Sequence, residues 1–231
     1  MKYKHLLFDL DHTLWDYDTN AKETLADLYG QYELGKHELF EVSEFIDTFF
    51  QVNDELWTAY NHDRIKKGYI RENRFKQIFE RLRLPLRYYP LGIDDNYLHS
   101  CPQKTHKIPF ADEVLTYLQP QYELHILTNG FNDVQSVKLE RSGLDKYFKE
   151  VITSESAEAK KPSAKIFEHT MNQINASIDE TLMIGDNLNT DIKGARDFGI
   201  DQVYFNPENN QDYDATFSIT SLLELKKVLP V

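Results

Sequence analysis

Asp9 and Asp11 stand two residues apart in Asp9-Leu10-Asp11-His12-Thr13-Leu14, directly after the apolar run Leu6-Leu7-Phe8. The apolar run reads as a strand, which puts the acids at its C-terminal end. In an open α/β sheet that edge is where ligands bind. Residues two apart on an extended chain point the same way, so both acids can address one substrate. One carboxylate can then act as nucleophile and the other as proton carrier, provided something offsets their repulsion. A bound cation would do so. Alone, the string fits equally well a strand ending in a turn whose Asp and Thr cap the next helix.

Three later segments repeat the pattern of a strand end carrying reactive groups. Ile126-Leu127 runs into Thr128-Asn129-Gly130 and a helix opens at Phe131. A hydroxyl, an amide and a glycine at such a turn can present N–H donors to phosphate, or can simply cap the helix. Ala159-Lys160-Lys161-Pro162-Ser163 enters another helix, with Pro162 expected in its first turn. An ammonium held at Lys161 can neutralise charge on a transferring phosphoryl group, whereas lysines on a loop are otherwise solvated surface. Met183-Ile184-Gly185-Asp186-Asn187 ends a fourth run, with Asp191 five residues after Asp186. Hard cations such as Mg²⁺ take oxygen ligands from one or two carboxylates, and Asp9 and Asp186 are candidates. An Asp/Asn-rich helix start also suits the helix dipole on its own.

These groups need a scaffold. Strands are expected at 4–9, 123–128, 150–154, 182–186, 202–206 and 216–219, and helices at 111–118, 132–142, 163–174, 189–198 and 221–229. Gly143 and Gly199 punctuate helix ends. The alternation predicts an α/β fold, a Rossmann-like doubly wound parallel sheet with helices on both faces. From 15 to 107 no strand is expected, only helical periodicity broken by turn signals at Gly68, Pro85, Pro90 and Pro102 into about four helices. This predicts a core of 1–14 and 108–231 with a helical insert, or cap, placed to act as a lid over Asp9.

The chain has 231 residues, 41% of them hydrophobic, enough for a proper core, and its formal charge is −12. That balance argues against binding nucleic acid or an anionic membrane surface. A small anionic substrate remains compatible if lysine, backbone N–H groups or metal help locally. No stretch is apolar enough to span a bilayer. The start Met-Lys-Tyr-Lys-His shows no signal region, and Cys101 is the sole cysteine, so a cytoplasmic address is expected. Cys101 itself is expected to be a small buried side chain.

In this order the four strand ends resemble the haloacid dehalogenase-like (HAD) superfamily, specifically its phosphatases with a C1-type helical cap. Motif one matches at Asp9, Asp11 and Thr13, motif two at Thr128, motif three at Lys161, and motif four at Gly185, Asp186 and Asp191. The phrases Glu55-Leu56-Trp57-Thr58-Ala59-Tyr60, Leu127-Thr128-Asn129-Gly130-Phe131 and Lys138-Leu139-Glu140-Arg141-Ser142-Gly143-Leu144 resemble the pyrimidine 5′-nucleotidase (YjjG/YfnB-like) branch. That resemblance implies a phosphomonoester hydrolase acting on nucleoside monophosphates, noncanonical ones included, as a monomer or homodimer.

The same resemblance implies that Asp9 attacks phosphorus to give an aspartyl-phosphate, while Asp11 protonates the leaving oxygen and later activates water. Thr128 with the N–H groups of Asn129 and Gly130 would hold the phosphoryl oxygens, and Lys161 would offset charge. Mg²⁺ would be held by Asp9, Asp186 and the backbone carbonyl of Asp11. Thr13, Asn187 and Asp191 would be supporting residues, with Asp191 beside Lys161 or the metal's waters rather than a direct ligand. Trp15 and Phe131 are candidates to touch the base or ribose. A stripe of Asn53, Trp57, Tyr60 and Arg64 on one helix face is cap core or substrate pocket.

Competing activities share these motifs. A dehalogenase uses the same nucleophile but needs no acid at Asp11, since halide leaves without a proton. A sugar-phosphate phosphatase or phosphomutase differs only in its cap. A phosphoacceptor signalling domain has no use for a helical insert.

Overall fold

In the computed structural model, residues 2–209 and 214–231 are described. Among them six strands form one parallel sheet: β1 (His5–Phe8), β2 (Glu123–Thr128), β3 (Glu150–Thr153), β4 (Thr181–Gly185), β5 (Asp201–Phe205) and β6 (Phe217–Ile219). Their order is β3-β2-β1-β4-β5-β6, the doubly wound arrangement expected. The winding direction reverses between β1 and β4, so the C-terminal ends of those two strands flank the crevice where such sheets bind ligands. Asp9 follows β1 and Asp186 follows β4. The register Phe8↔Ile126 and Phe8↔Ile184 brings the three strand ends level.

β1 is buried over its full length because it is central and covered on both faces. On one face Leu7, Leu127, Ile152 and Met183 pack against Ile166, Phe167 and Met171 of α7 (Ala164–Ile174) and Ala195 of α8 (Lys193–Phe198). Gly194 allows that packing: a Cβ there would lie 2.9 Å from the backbone of Pro162. The helices α5 (Ala111–Leu118) and α6 (Asn132–Ser142) match the expected bounds, and α6 ends on Gly143 in the left-handed conformation.

Three expected elements differ for local reasons. Pro162 stands before the helix rather than in its first turn, because Ser163 takes the capping position and its hydroxyl accepts from Lys165 N–H. The helix expected at 189–198 begins instead as a π-turn over Leu188–Ile192, in which the Asn187 side chain accepts from the N–H groups of Asn189 and Thr190. The terminal helix is a 3₁₀ turn, Leu222–Glu224, capped reciprocally by Ser221 and Glu224, followed by the short α9 (Leu225–Val228).

The structure divides into two compact units, one reaching Tyr17 and resuming at Thr105, the other spanning Asp18–Lys104. Trp15 bridges to both Asp11 and Lys107, which keeps those residues with the sheet unit. The second unit carries α1 (Tyr17–Gln31) beyond its first residue, α2 (Val42–Asn61), α3 (Lys67–Arg81) and α4 (Ile93–Ser100). Its core is aromatic: Phe45, Phe49, Phe75, Phe79 and Tyr97 are buried together. Buried Arg74 lies 4.5 Å over the Tyr97 ring and donates to Asn53 at 3.1 Å, so Asn53 belongs to that core. Arg64 falls beyond the end of α2 and shares no helix face with it. Cys101 is buried, and no helix is long and apolar enough to cross a membrane among the described residues.

Candidate active site

Asp9 sits one residue past β1, where its N–H donates to the Ile184 carbonyl at 2.9 Å. Its Oδ1 accepts from Lys161 Nζ at 2.6 Å. The same ammonium donates to the Leu127 carbonyl at 2.6 Å and meets Asp191 Oδ1 at 2.7 Å. An ammonium has three donors, and all are used. Lys161 is 1% exposed, so this is a fixed charge and not solvated surface. Burial alone would lower its pKa, but Asp191 and Asp9 outweigh it and hold the lysine charged.

Two loops fix that lysine. The Asn129 side chain donates to the Lys161 carbonyl at 2.9 Å and accepts from the Lys161 N–H at 2.8 Å. Ser154, after β3, donates to the Asn129 carbonyl at 2.9 Å. The turns after β2 and β3 are thereby clasped at the switch-point edge. Asp191 reaches Lys161 from the π-turn across Gly185, where a Cβ would come within 2.3 Å of Asp191 Oδ2. Only glycine leaves room there.

Asp186 completes an acidic cluster. Its Oδ1 accepts from the buried Thr13 hydroxyl at 2.8 Å. Oxygens of Asp9, Asp186 and Asp191 all lie within 4.8 Å of one another. These carboxylates share the single Lys161 ammonium, which leaves buried negative charge uncompensated. Burial first, and then the like charge of Asp191, pushes Asp186 up to about 7. Burial also raises Asp9 well above the usual carboxylate range, with Lys161 opposing and Asp191 and Asp186 adding. Clustered carboxylate oxygens with uncompensated charge are the donor set of a hard divalent cation, so the residues fit Mg²⁺.

Asp11 has a separate partner. Its Oδ1 accepts from Lys138 Nζ at 2.6 Å and its Oδ2 from Gln135 Nε2 at 3.0 Å. Lys138 is buried, 4.5 Å over the Trp15 ring and 5.6 Å over the Tyr17 ring. Burial pushes Asp11 upward, but the charge and hydrogen bonds of Lys138 and Gln135 prevail and hold it below its ordinary value. Gln135 Nε2 also donates to Thr128 Oγ1 at 2.9 Å, which ties Asp11 to the hydroxyl expected to bind phosphoryl oxygens.

The family model for haloacid dehalogenase-like hydrolases matches residues 3–199. The chain belongs to that family. It is 32% identical to the pyrimidine 5′-nucleotidase PynA of Streptococcus pneumoniae, over 97% of this chain and 94% of that protein. It is 28% identical to the pyrimidine 5′-nucleotidase YjjG of Escherichia coli, over 99% of both. Among solved structures, the magnesium-bound HAD-hydrolase YfnB of Bacillus subtilis aligns over 100% of both chains with a TM-score of 0.86 and 26% identity.

For this HAD-like hydrolase the structure brings Asp9, Asp11, Thr13, Thr128, Lys161, Asp186 and Asp191 into one network at a single sheet edge. Asn187 caps the π-turn, and its N–H donates to Asp191 Oδ2 at 3.1 Å. Three expectations change. Trp15 has no exposed surface and serves as the platform under Lys138; Phe131 is buried at 5% exposure. The Gly130 N–H is engaged by Thr128 Oγ1 at 3.0 Å, so in this arrangement it faces the hydroxyl. The two acids do not rely on one cation to offset each other, because each has its own lysine.

Gln135 and Lys138 are the residues sequence reading missed. They lie three apart on α6, hence on one face, in the helix that follows the Thr128 turn. Sequence carries no signal for them, since their burial comes from the fold. Gly130 is required beneath them: a Cβ would meet Gln135 Nε2 at 2.1 Å.

Proposed function

We propose that this hydrolase cleaves phosphomonoesters, nucleoside monophosphates with pyrimidine bases foremost, through a phosphoaspartate at Asp9. The observation that carries the reading is the division of labour between two buried acid–lysine pairs, Asp9–Lys161 and Asp11–Lys138. One carboxylate is held against a fixed positive charge, as an anionic nucleophile approaching an anionic phosphate requires. The other is held by a second lysine and an amide, which set its proton affinity apart from that of Asp9.

Asp9 attacks phosphorus, and the bond from phosphorus to the ester oxygen breaks as the new P–O bond forms. The leaving oxygen takes its proton from Asp11. Lys138 and Gln135 favour the ionised form of Asp11, so a phosphate dianion arriving beside it is what raises its proton affinity. Once the leaving group departs, ionised Asp11 takes a proton from water, which attacks the phosphoaspartate and regenerates Asp9. Thr128 holds the phosphoryl oxygens through both halves, while Lys161, its three donors already engaged, offsets their charge and restrains Asp9. Mg²⁺, held by Asp9, Asp186 and the Asp11 backbone carbonyl, would screen carboxylate from phosphate and so lower the barrier to attack.

The support for nucleotides is the full-length similarity to two pyrimidine 5′-nucleotidases. Phosphate release from a panel of nucleoside monophosphates and sugar phosphates, with Asp9→Asn as blank, tests both levels. Release concentrated on pyrimidine monophosphates and abolished in the blank is expected. Preference for sugar phosphates overturns the nucleotide assignment, and release that survives Asp9→Asn overturns the nucleophile.

A further inference from the structure

His5, Glu123 and His125 gather at the opposite edge of the sheet from Asp9. His5 opens β1 and Glu123 opens β2, paired directly across the ladder, with His125 two residues further on. Alternation of side chains puts all three on one face. Four residues of extended chain separate His5 from Asp9, roughly 13 Å at the usual rise per residue. The two clusters are therefore independent.

His5 Nδ1 lies 3.4 Å from His125 Nε2 and 3.7 Å from Glu123 Oε2. A tetrahedral metal bound at about 2.0–2.1 Å separates its ligands by about 3.3–3.4 Å, so these atoms already stand close to coordination spacing. Hydrogen bonding explains the cluster less well. His125 is 1% exposed, and its Nε2, the ring atom that faces the cluster, reaches only the other imidazole at the long limit. The Glu123 carboxylate divides its oxygens: Oε1 meets Lys149 Nζ at 2.6 Å, and Oε2 faces His5. Glu123 is half-exposed, which gives an ion an entry path and leaves room for water as a fourth ligand.

We propose that His5, Glu123 and His125 form a second cation site, for a borderline divalent transition metal such as Zn²⁺ or Co²⁺. Two imidazoles and one carboxylate suit such ions better than Mg²⁺, which favours oxygen ligands. A bound ion clamps the starts of β1 and β2 together, and its departure leaves the phosphate chemistry intact.

The test is metal stoichiometry on tag-free, Mg²⁺-saturated protein dialysed against Zn²⁺, together with the visible spectrum after Co²⁺ is supplied instead. One zinc per chain is expected, with a tetrahedral-type cobalt spectrum. That zinc should persist in Asp186→Asn, which alters only the acidic cluster. It should be lost in His5→Gln and in Glu123→Gln, the latter at a half-exposed position where folding is secure. Both variants should still release phosphate at the unmodified rate. No zinc bound, or zinc retained by Glu123→Gln and His5→Gln alike, overturns the assignment.

Discussion

Lys138 and Gln135 grip the two oxygens of Asp11, and this sets the proton affinity of the group proposed to give and take a proton. An adjacent ammonium favours the ionised carboxyl, so removing it lets the Asp11 pKa rise. In Lys138→Met the limb of the pH–rate profile governed by Asp11 should therefore move to higher pH. The rate should fall by no more than the about 10²–10⁴-fold that general acid–base catalysis supplies. Measured kcat across pH decides the matter: a uniform loss without movement of either limb would show that Lys138 only packs against Trp15. Asp9, Asp11 and Asp186 stood out in sequence because each closes an apolar run with strand character, and Lys161 because it precedes Pro162 at a helix entrance. Gln135 and Lys138 did not. Polar residues on an amphipathic helix read as a solvated face, and what buries these is a loop more than a hundred positions away in the chain.

At the scale of elements, the turns after β2, β3 and β4 are held to one another more than to solvent. The Asn129 clasp on Lys161 and the reach of Asp191 across Gly185 place the ammonium against Asp9. Gly185→Ala puts a methyl where Asp191 Oδ2 now lies, so Asp191 must withdraw and Lys161 loses a partner. Breaking a buried pair in this way costs about 3–5 kcal/mol. Urea unfolding should show a loss of that order, and a change within about 0.5 kcal/mol, the range of an ordinary surface substitution, would contradict the account. Helices α5 and α6 kept their expected bounds because turn residues and a left-handed glycine delimit them. The π-turn was not readable, since it exists only because the Asn187 side chain captures two N–H groups and Asp191 turns back to Lys161. A helix pattern carries no sign of either.

Across the whole molecule, the acidic cluster links stability to pH and to metal. Asp186 titrates near 7 in the folded state, above its ordinary value of 3.8, because burial and Asp191 disfavour its charge. The folded protein therefore holds a proton there that the unfolded chain releases, and this contribution is lost as pH rises through about 7. A divalent ion must displace that proton to bind, so it binds better on the alkaline side. At a concentration a hundred times its Kd an ion stabilises by about 2.7 kcal/mol. Scanning calorimetry should then show Mg²⁺ raising Tm more at pH 8 than at pH 6. An equal rise at both, or none, would remove the acidic cluster as the metal site. The doubly wound sheet was evident in the hydrophobic periodicity. The side chains that complete the site were set by contacts between distant loops, which periodicity does not record.

The central claim is a covalent phosphoryl group on Asp9. Protein turning over a pyrimidine monophosphate should be quenched in acid, reduced with borohydride and digested, and its peptides weighed by mass spectrometry. An acyl phosphate at Asp9 is reduced to homoserine, so the account predicts that mass change at position 9, only with substrate and never in Asp9→Asn. Full phosphate release without any modification of Asp9, or with the modification at Asp11 or Asp186, would contradict it.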